Sequence, residues 1–192
     1  MQRLAIMASG NGTNAKNIID HFKDNPEIKT ELIICNNTKA KVTEVAQESN
    51  IPCYLISKTE FYETHKVPAL FHSHRIDLIV LAGFLWMIPE NILCAYPEHI
   101  INIHPALLPA YGGPGMYGRH VHEAVIAAKE KQTGITIHYL NDQYDAGEII
   151  FQKSIPVEKN DTAETISRKV QMLEYEWYPK LIEKILSDIK KD

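Results

Sequence analysis

Four short, largely apolar runs in the first 103 residues restrict its fold more than any other feature. They are Leu4-Ala5-Ile6-Met7, Glu31-Leu32-Ile33-Ile34-Cys35, Leu78-Ile79-Val80-Leu81-Ala82 and Ile100-Ile101-Asn102-Ile103. A strand with one wet face alternates apolar and polar residues, so continuous apolarity marks strands covered on both faces. Between the runs, longer amphipathic stretches predict helices over about 13–24, 40–49, 59–75 and 89–95. Strands and helices in this alternation fold as a parallel sheet with right-handed crossovers.

After Gly134 the rhythm changes. Two closely spaced apolar strands, Ile135 to Leu140 and Glu148 to Ile155, precede a long helix running from Thr162 to near the C-terminus, with Asp161 placed to cap it. Late strands so close together add a mixed edge to the sheet. Pro109 to Gly118 holds four glycines and two prolines and reads as a loop rather than a boundary. No repeat or linker divides the chain, and 192 residues suffice for one continuous core. The expectation is a single domain over 1–192 of class α/β: a Rossmann-like, doubly wound, mostly parallel sheet with an antiparallel edge and a long C-terminal helix.

Composition bears mainly on partners. With 45% hydrophobic and 23% charged residues, disordered and collagen-like classes are excluded. A net charge of -4 provides no sequence-wide positive field for nucleic acid or an anionic membrane, so small molecules are the expected partners. Cys35, Cys53 and Cys94 lie far apart, which argues against a disulfide framework and a thiolate zinc site. The first apolar run breaks at Ser9-Gly10, too short for a signal-peptide core, and no stretch reaches the length of a membrane span. A cytoplasmic protein is expected, monomeric or weakly homodimeric, since no heptad pattern marks a self-pairing helix.

Three segments carry candidate chemistry. The first strand runs into Ser9-Gly10-Asn11-Gly12-Thr13-Asn14 and then a helix. Glycines let backbone approach a ligand, and the free amides of a helix start attract an anion. The turn lacks the G-K-[ST] of a triphosphate loop and the third glycine of a dinucleotide fingerprint, so it is either a monophosphate cradle or a tight turn that Thr13 or Asn14 caps. In Asn102-Ile103-His104-Pro105-Ala106-Leu107-Leu108-Pro109 a buried strand ends in an amide and an imidazole, at the edge where open α/β sheets place ligands. Asn102 can donate to an oxyanion and His104 can exchange protons near neutrality, which suits acyl-group chemistry; alternatively His104 only satisfies a loop carbonyl. Asn141-Asp142-Gln143-Tyr144-Asp145-Ala146-Gly147 is a polar turn whose Asp145 either orients His104 or simply forms the turn. The pairs His72/His74 and His120/His122 are no metal site, because helix neighbours two apart point about 200° from one another. Tyr175, Trp177 and Tyr178 read as packing groups of the last helix.

Together the Ser9 to Asn14 turn, Leu81-Ala82-Gly83-Phe84, the Asn102 to Pro109 segment and Asp145-x-Gly occur in the order and rough spacing of one known family. Over nearly its whole length the chain resembles the folate-dependent formyltransferases that act on glycinamide ribonucleotide. The resemblance implies the formyltransferase fold and transfer of a formyl group from 10-formyltetrahydrofolate, as co-substrate, without metal. It implies that Gly12, Thr13, Asn14 and Glu174 hold the ribonucleotide. Leu85, Trp86, Met87 and Ile88, with Asn102, Asn141 and Asp142, would meet the folate. Asn102, His104 and Asp145 match the catalytic trio, with His138 nearby; the expected mechanism is direct attack of the amine on the formyl carbon, giving an oxyanion that Asn102 and a protonated His104 stabilise, with Asp145 raising the imidazole's pKa. Three departures stand out: Ala106 where many relatives have serine, a longer Tyr111 to Arg119 loop that can act as a lid, and Trp86-Met87 in the folate segment. A sugar-nucleotide N-formyltransferase and a non-catalytic folate- or nucleotide-binding module are the competing readings.

Overall fold

A computed structural model describes residues 1–189. Its elements, in chain order, are β1 (Gln2–Ala8), α1 (Thr13–Phe22), β2 (Ile28–Cys35), α2 (Val42–Glu48), β3 (Cys53–Leu55), α3 (Lys58–Tyr62), α4 (Lys66–Ser73), β4 (Leu78–Leu81), α5 (Glu90–Ala95), β5 (Ile100–His104), α6 (Arg119–Ala127), β6 (Gln132–Tyr139), β7 (Ile149–Pro156) and α7 (Ala163–Ile189). The strand order is β3-β2-β1-β4-β5-β6-β7. β1 pairs in parallel with β2 and β4, β2 pairs in parallel with β3, and β6 pairs antiparallel with β7. This is the mostly parallel sheet with an antiparallel edge that the apolar runs predict.

By contact density the chain forms two compact units, Met1–Ile101 with the segment from Pro179 on, and Asn102–Tyr178. In the first, the apolar runs are fully covered: Ile6, Met7, Ile33, Ile34, Ile79 and Val80 are inaccessible to solvent. Helix α1 buries Ala15, Ile18, Ile19 and Phe22, the spacing of one helical face. In the second unit Ile135 and Ile137 of β6, Val121 and Val125 of α6, and Ile166, Val170 and Tyr178 of α7 are buried in the same way.

Where elements differ from expectation the cause is local. The helix predicted over 59–75 is two helices, α3 and α4, because Pro68 lacks an N–H and is tolerated only in a first turn. Ser57 and Glu60 form a reciprocal capping box at the start of α3. The Thr64 hydroxyl donates to the Glu60 carbonyl and accepts from the Lys66 N–H, closing one helix and opening the next. Likewise the capping side chain of α7 is Thr162, which accepts from the Thr165 N–H. Asp161, expected there, instead accepts from the Glu158 N–H, the Thr165 hydroxyl and Lys169. The three-residue strand β3 is too short to stand out in the sequence, whereas α6 carries the His120/His122 pair on the helix expected there.

Candidate active site

The turn after β1 is built around Gly12. Its φ of +74° is the left-handed conformation, and a Cβ there would lie 2.8 Å from the Val42 Cα, so the position accepts only glycine without strain. Gly12 is itself the N-cap of α1, and no side chain caps the helix. The alternative in which Thr13 or Asn14 supplies the cap is therefore overturned. The first-turn amides keep the positive dipole end that a phosphate can use. Ser9, 6% exposed, fixes the turn to the segment after β4: its N–H donates to the Gly83 carbonyl at 3.1 Å, and its hydroxyl accepts from the Leu85 N–H at 3.0 Å. Asn37 donates to the Ser9 carbonyl and Val42 to that of Gly10. Leu85 is exposed, Trp86 and Met87 are half-buried and Ile88 is buried. Trp86 stands among aromatic rings, with centroids 5.5 Å from Phe61, 6.0 Å from Tyr62 and 6.1 Å from Phe84.

The second unit holds the expected trio and adds His138 to it. His104, at the end of β5, is 3% exposed, and its Nδ1 lies 3.6 Å from Asp145 Oδ2. Its Nε2–H donates to the Tyr111 carbonyl at 2.7 Å. His138 on β6, 2% exposed, places Nε2 3.8 Å from Asp145 Oδ1. Its Nδ1–H donates to the Tyr139 carbonyl at 2.8 Å, which leaves Nε2 as the acceptor of the Asn102 amide at 3.2 Å. One carboxylate thus faces two buried imidazoles, one of which fixes the Asn102 side chain.

Asp145 occupies the left-handed region at φ +52°, and its Oδ2 also accepts from the Gly113 N–H at 2.9 Å. A Cβ on Gly112 would lie 2.6 Å from the Leu108 Cδ2 and 3.2 Å from the Asp145 Cβ, so a larger residue there would have to displace the Leu108 side chain beside the carboxylate. Asp145 is therefore more than a turn former. The neighbouring Asn141 does form a turn, accepting from the Gln143 N–H, and both Asn141 and Asp142 are exposed.

Burial pushes the His104 imidazole below its ordinary value, and the Asp145 carboxylate and Tyr111 carbonyl oppose this without overcoming it. Asp145 thus acts in the expected direction, raising the imidazole pKa, but burial outweighs it, which corrects the expectation of a protonated His104. Burial likewise lowers His138, against the Tyr139 carbonyl and Asp145. Both rings are neutral at neutral pH, with complementary tautomers set by their carbonyl partners.

Two groups around this cluster were not read from the sequence. The buried Thr136 hydroxyl donates to the Ala106 carbonyl at 2.7 Å and accepts from the Leu108 N–H at 3.0 Å. Gln152 on β7 donates to both Thr136 Oγ1 and the Leu108 carbonyl. They hold the segment following His104 from strands far along the chain, and nothing in the sequence separates them from the other polar residues of β6 and β7. Glu174 is half-buried on α7, one turn before the fully buried Tyr178, whose phenol is pushed up first by burial and then by the Glu174 charge.

The histidine pairs diverge as helix geometry requires. His122 is 4% exposed while the His120 side chain faces solvent beside Glu123, and His74 bonds the Tyr54 hydroxyl. Among the described residues, no three His, Cys, Asp or Glu side chains gather in a metal-binding arrangement. No helix of the described residues is long and apolar enough to cross a membrane. Trp177 packs on Phe151 with ring centroids 4.7 Å apart, as a packing group should.

Comparison with known proteins places these features in context. The chain is 36% identical over 192 residues to the phosphoribosylglycinamide formyltransferase of Bacillus subtilis strain 168, covering 97% of this chain and 95% of that one. The crystal structure of phosphoribosylglycinamide formyltransferase from Bacillus halodurans superposes with a TM-score of 0.86 at 37% identity, covering 97% of this chain and 96% of that one. The enzyme of that name from Anaplasma phagocytophilum gives 0.87 at 32% identity, with 97% and 88% covered. The formyl transferase family model matches residues 2–182, and the chain belongs to that family.

Proposed function

We propose that this protein is a phosphoribosylglycinamide formyltransferase, transferring the formyl group of 10-formyltetrahydrofolate to the amine of glycinamide ribonucleotide in purine synthesis. The observation that carries the reading is the cluster of Asn102, His104, His138 and Asp145, in which an oriented amide and a neutral imidazole stand together around one carboxylate.

The chemistry follows from those groups. The neutral amine attacks the formyl carbon, one C–N bond forms, and the carbonyl oxygen becomes an oxyanion. Asn102 has one amide hydrogen engaged by His138 and a second for that oxygen. The His104 Nε2–H is the other donor, and the oxyanion takes the place of the Tyr111 carbonyl when the glycine-rich loop yields. The proton released by the amine is taken up by the His104–Asp145 pair, where the resulting imidazolium faces a carboxylate. It passes to the departing folate nitrogen as the second C–N bond breaks. Low basicity in the resting site suits this role, since a ring already protonated could accept nothing.

The same reading assigns the ribonucleotide to Gly12, Thr13, Asn14 and Glu174, supported by the uncapped, left-handed start of α1. The folate is assigned to Leu85, Trp86, Met87, Ile88, Asn102, Asn141 and Asp142, supported by the apolar and aromatic character of the first four, of which Leu85 is exposed and Trp86 and Met87 half-buried. Small molecules are the proposed partners, with no nucleic acid, membrane or metal. A cytoplasmic monomer or weak homodimer completes the proposal.

The test is formyl transfer by the purified protein, without added metal, from 10-formyltetrahydrofolate to glycinamide ribonucleotide, with an amino-sugar nucleotide and water as competing acceptors. Formylated ribonucleotide is the expected product. Preference for the amino sugar overturns the phosphate assignment, and transfer to no acceptor overturns the enzyme reading.

A further inference from the structure

A cavity of about 640 Å³ opens in the first unit between the C-terminal end of α1, the first half of β2 and the residues that follow α2. The volume is that of a small-molecule pocket. Ile19 and Phe22 of α1 and Ile51 give it apolar walls. Lys23 and Lys29 stand at its rim. Lys29 pairs with Glu31 at 2.9 Å, and Lys23 has no ion pair among the described residues, so the rim is net cationic.

Two features of β2 show that this is more than a gap left by packing. The register against β1 runs Leu4 to Thr30 and then Ala5 to Leu32, so Glu31 is the extra residue of a bulge. Bulges re-aim side chains at the cost of regular pairing. Glu31, which also lines the cavity, pairs with Lys29 and with His74 Nδ1 at 3.5 Å, and among the described residues it makes no ion pair with Lys23. Immediately before it, Thr30 lines the cavity at 8% exposure, and its Oγ1 has no hydrogen-bond partner. A hydroxyl so buried is expensive to leave unsatisfied, and valine would fill the same volume at less cost.

We propose that this cavity is a second binding site, for a small aromatic anion. The planar body lies against Ile19, Phe22 and Ile51, the anionic group meets Lys23 and Lys29, and a ligand oxygen completes the hydrogen bonding of Thr30. The site is independent of the formyl-transfer reading, and its ligand is neither of the substrates named above.

The probe is 8-anilinonaphthalene-1-sulfonate, an aromatic anion that fluoresces on leaving water, titrated into the full-length protein. Saturable enhancement with one site per chain is expected, undisplaced by glycinamide ribonucleotide or by folate. Lys23→Glu and Thr30→Val should each weaken it about tenfold, the loss expected for one hydrogen bond or charge contact. Ser49→Trp, which fills the mouth, should abolish it. Each variant is first checked for an unchanged thermal midpoint, because partly unfolded chains also bind this dye. Displacement by a substrate, or affinity unchanged in Lys23→Glu and Ser49→Trp, overturns the site. Affinity unchanged in Thr30→Val alone overturns the role of the hydroxyl. Formyl transfer intact in every variant keeps the two conclusions separable.

Discussion

The Asn102 amide donates to His138 Nε2 at 3.2 Å, so the amide proposed to stabilise an oxyanion is held by a histidine 36 positions along the chain. On the proposed mechanism His138 is a positioning residue. His138→Ala should lower kcat about tenfold, part of the hundredfold or more that an oxyanion donor contributes, with KM for both substrates little changed. His138→Gln, which can still accept from Asn102, should recover part of the loss. Steady-state kinetics of the two variants distinguish orientation from simple packing.

Direct loss of a donor is more severe. Asn102→Ala and His104→Ala should each reduce kcat at least a hundredfold, about 3 kcal/mol in the barrier, with binding of the ribonucleotide retained. A near-normal turnover in either would remove that residue from the mechanism.

Buried neutral imidazoles make stability depend on pH in a defined direction. His104, His122 and His138 are all pushed down by burial, so an unfolded chain takes up protons near the ordinary value while the native rings resist. Between about pH 6.5 and the lower native values the unfolded state binds more protons, and stability rises with pH. The contribution is complete above that window and is lost as pH falls through it. Urea unfolding followed from about pH 7.5 down to about pH 5 should show a falling midpoint, with a shallower slope in His122→Leu.

Thr136 is the polar hub beneath the His104 loop. Thr136→Val keeps the shape but leaves the Leu108 N–H and the Gln152 amide without their shared acceptor. A loss of about 1–3 kcal/mol in unfolding free energy is expected, measurable by denaturant titration.

At the cradle, Gly12→Ala meets both the left-handed backbone and the Val42 backbone. It should cost at least about 1 kcal/mol in stability and raise KM for the ribonucleotide more than KM for the folate. Equal effects on the two substrates would argue against phosphate binding at this turn.

Much of this was legible before any coordinates. Continuous apolar runs of only four or five residues, set between longer amphipathic stretches, fit strands covered on both faces, and β1, β2, β4 and β5 lie where those runs do. Asn102, His104 and Asp145 could be named because polar residues at a strand end or in a tight turn are exceptions to the surrounding pattern. What the sequence withheld is pairing across distance. Nothing in the 130s announces that His138 meets Asn102, or that Gln152 reaches Leu108. The resting charge of His104 was also missed, since a neighbouring carboxylate is visible in a motif but the depth of burial is not. The split between α3 and α4 turned on Pro68, a signal present in the sequence and outweighed there by the apolar periodicity around it.

The bonds from Thr136 and Gln152 to Leu108 span 28 and 44 residues. Loops closed over such distances form late, after the local helices and turns. A nascent chain that has emerged only through β5 already carries Asn102 and His104, yet nothing of β6 or β7 exists to fix them. On the proposed mechanism competence therefore comes only with the last stage of synthesis, and Gln152→Leu, which spares every residue assigned to reaction or substrate but cuts the ties from β7, should lower kcat.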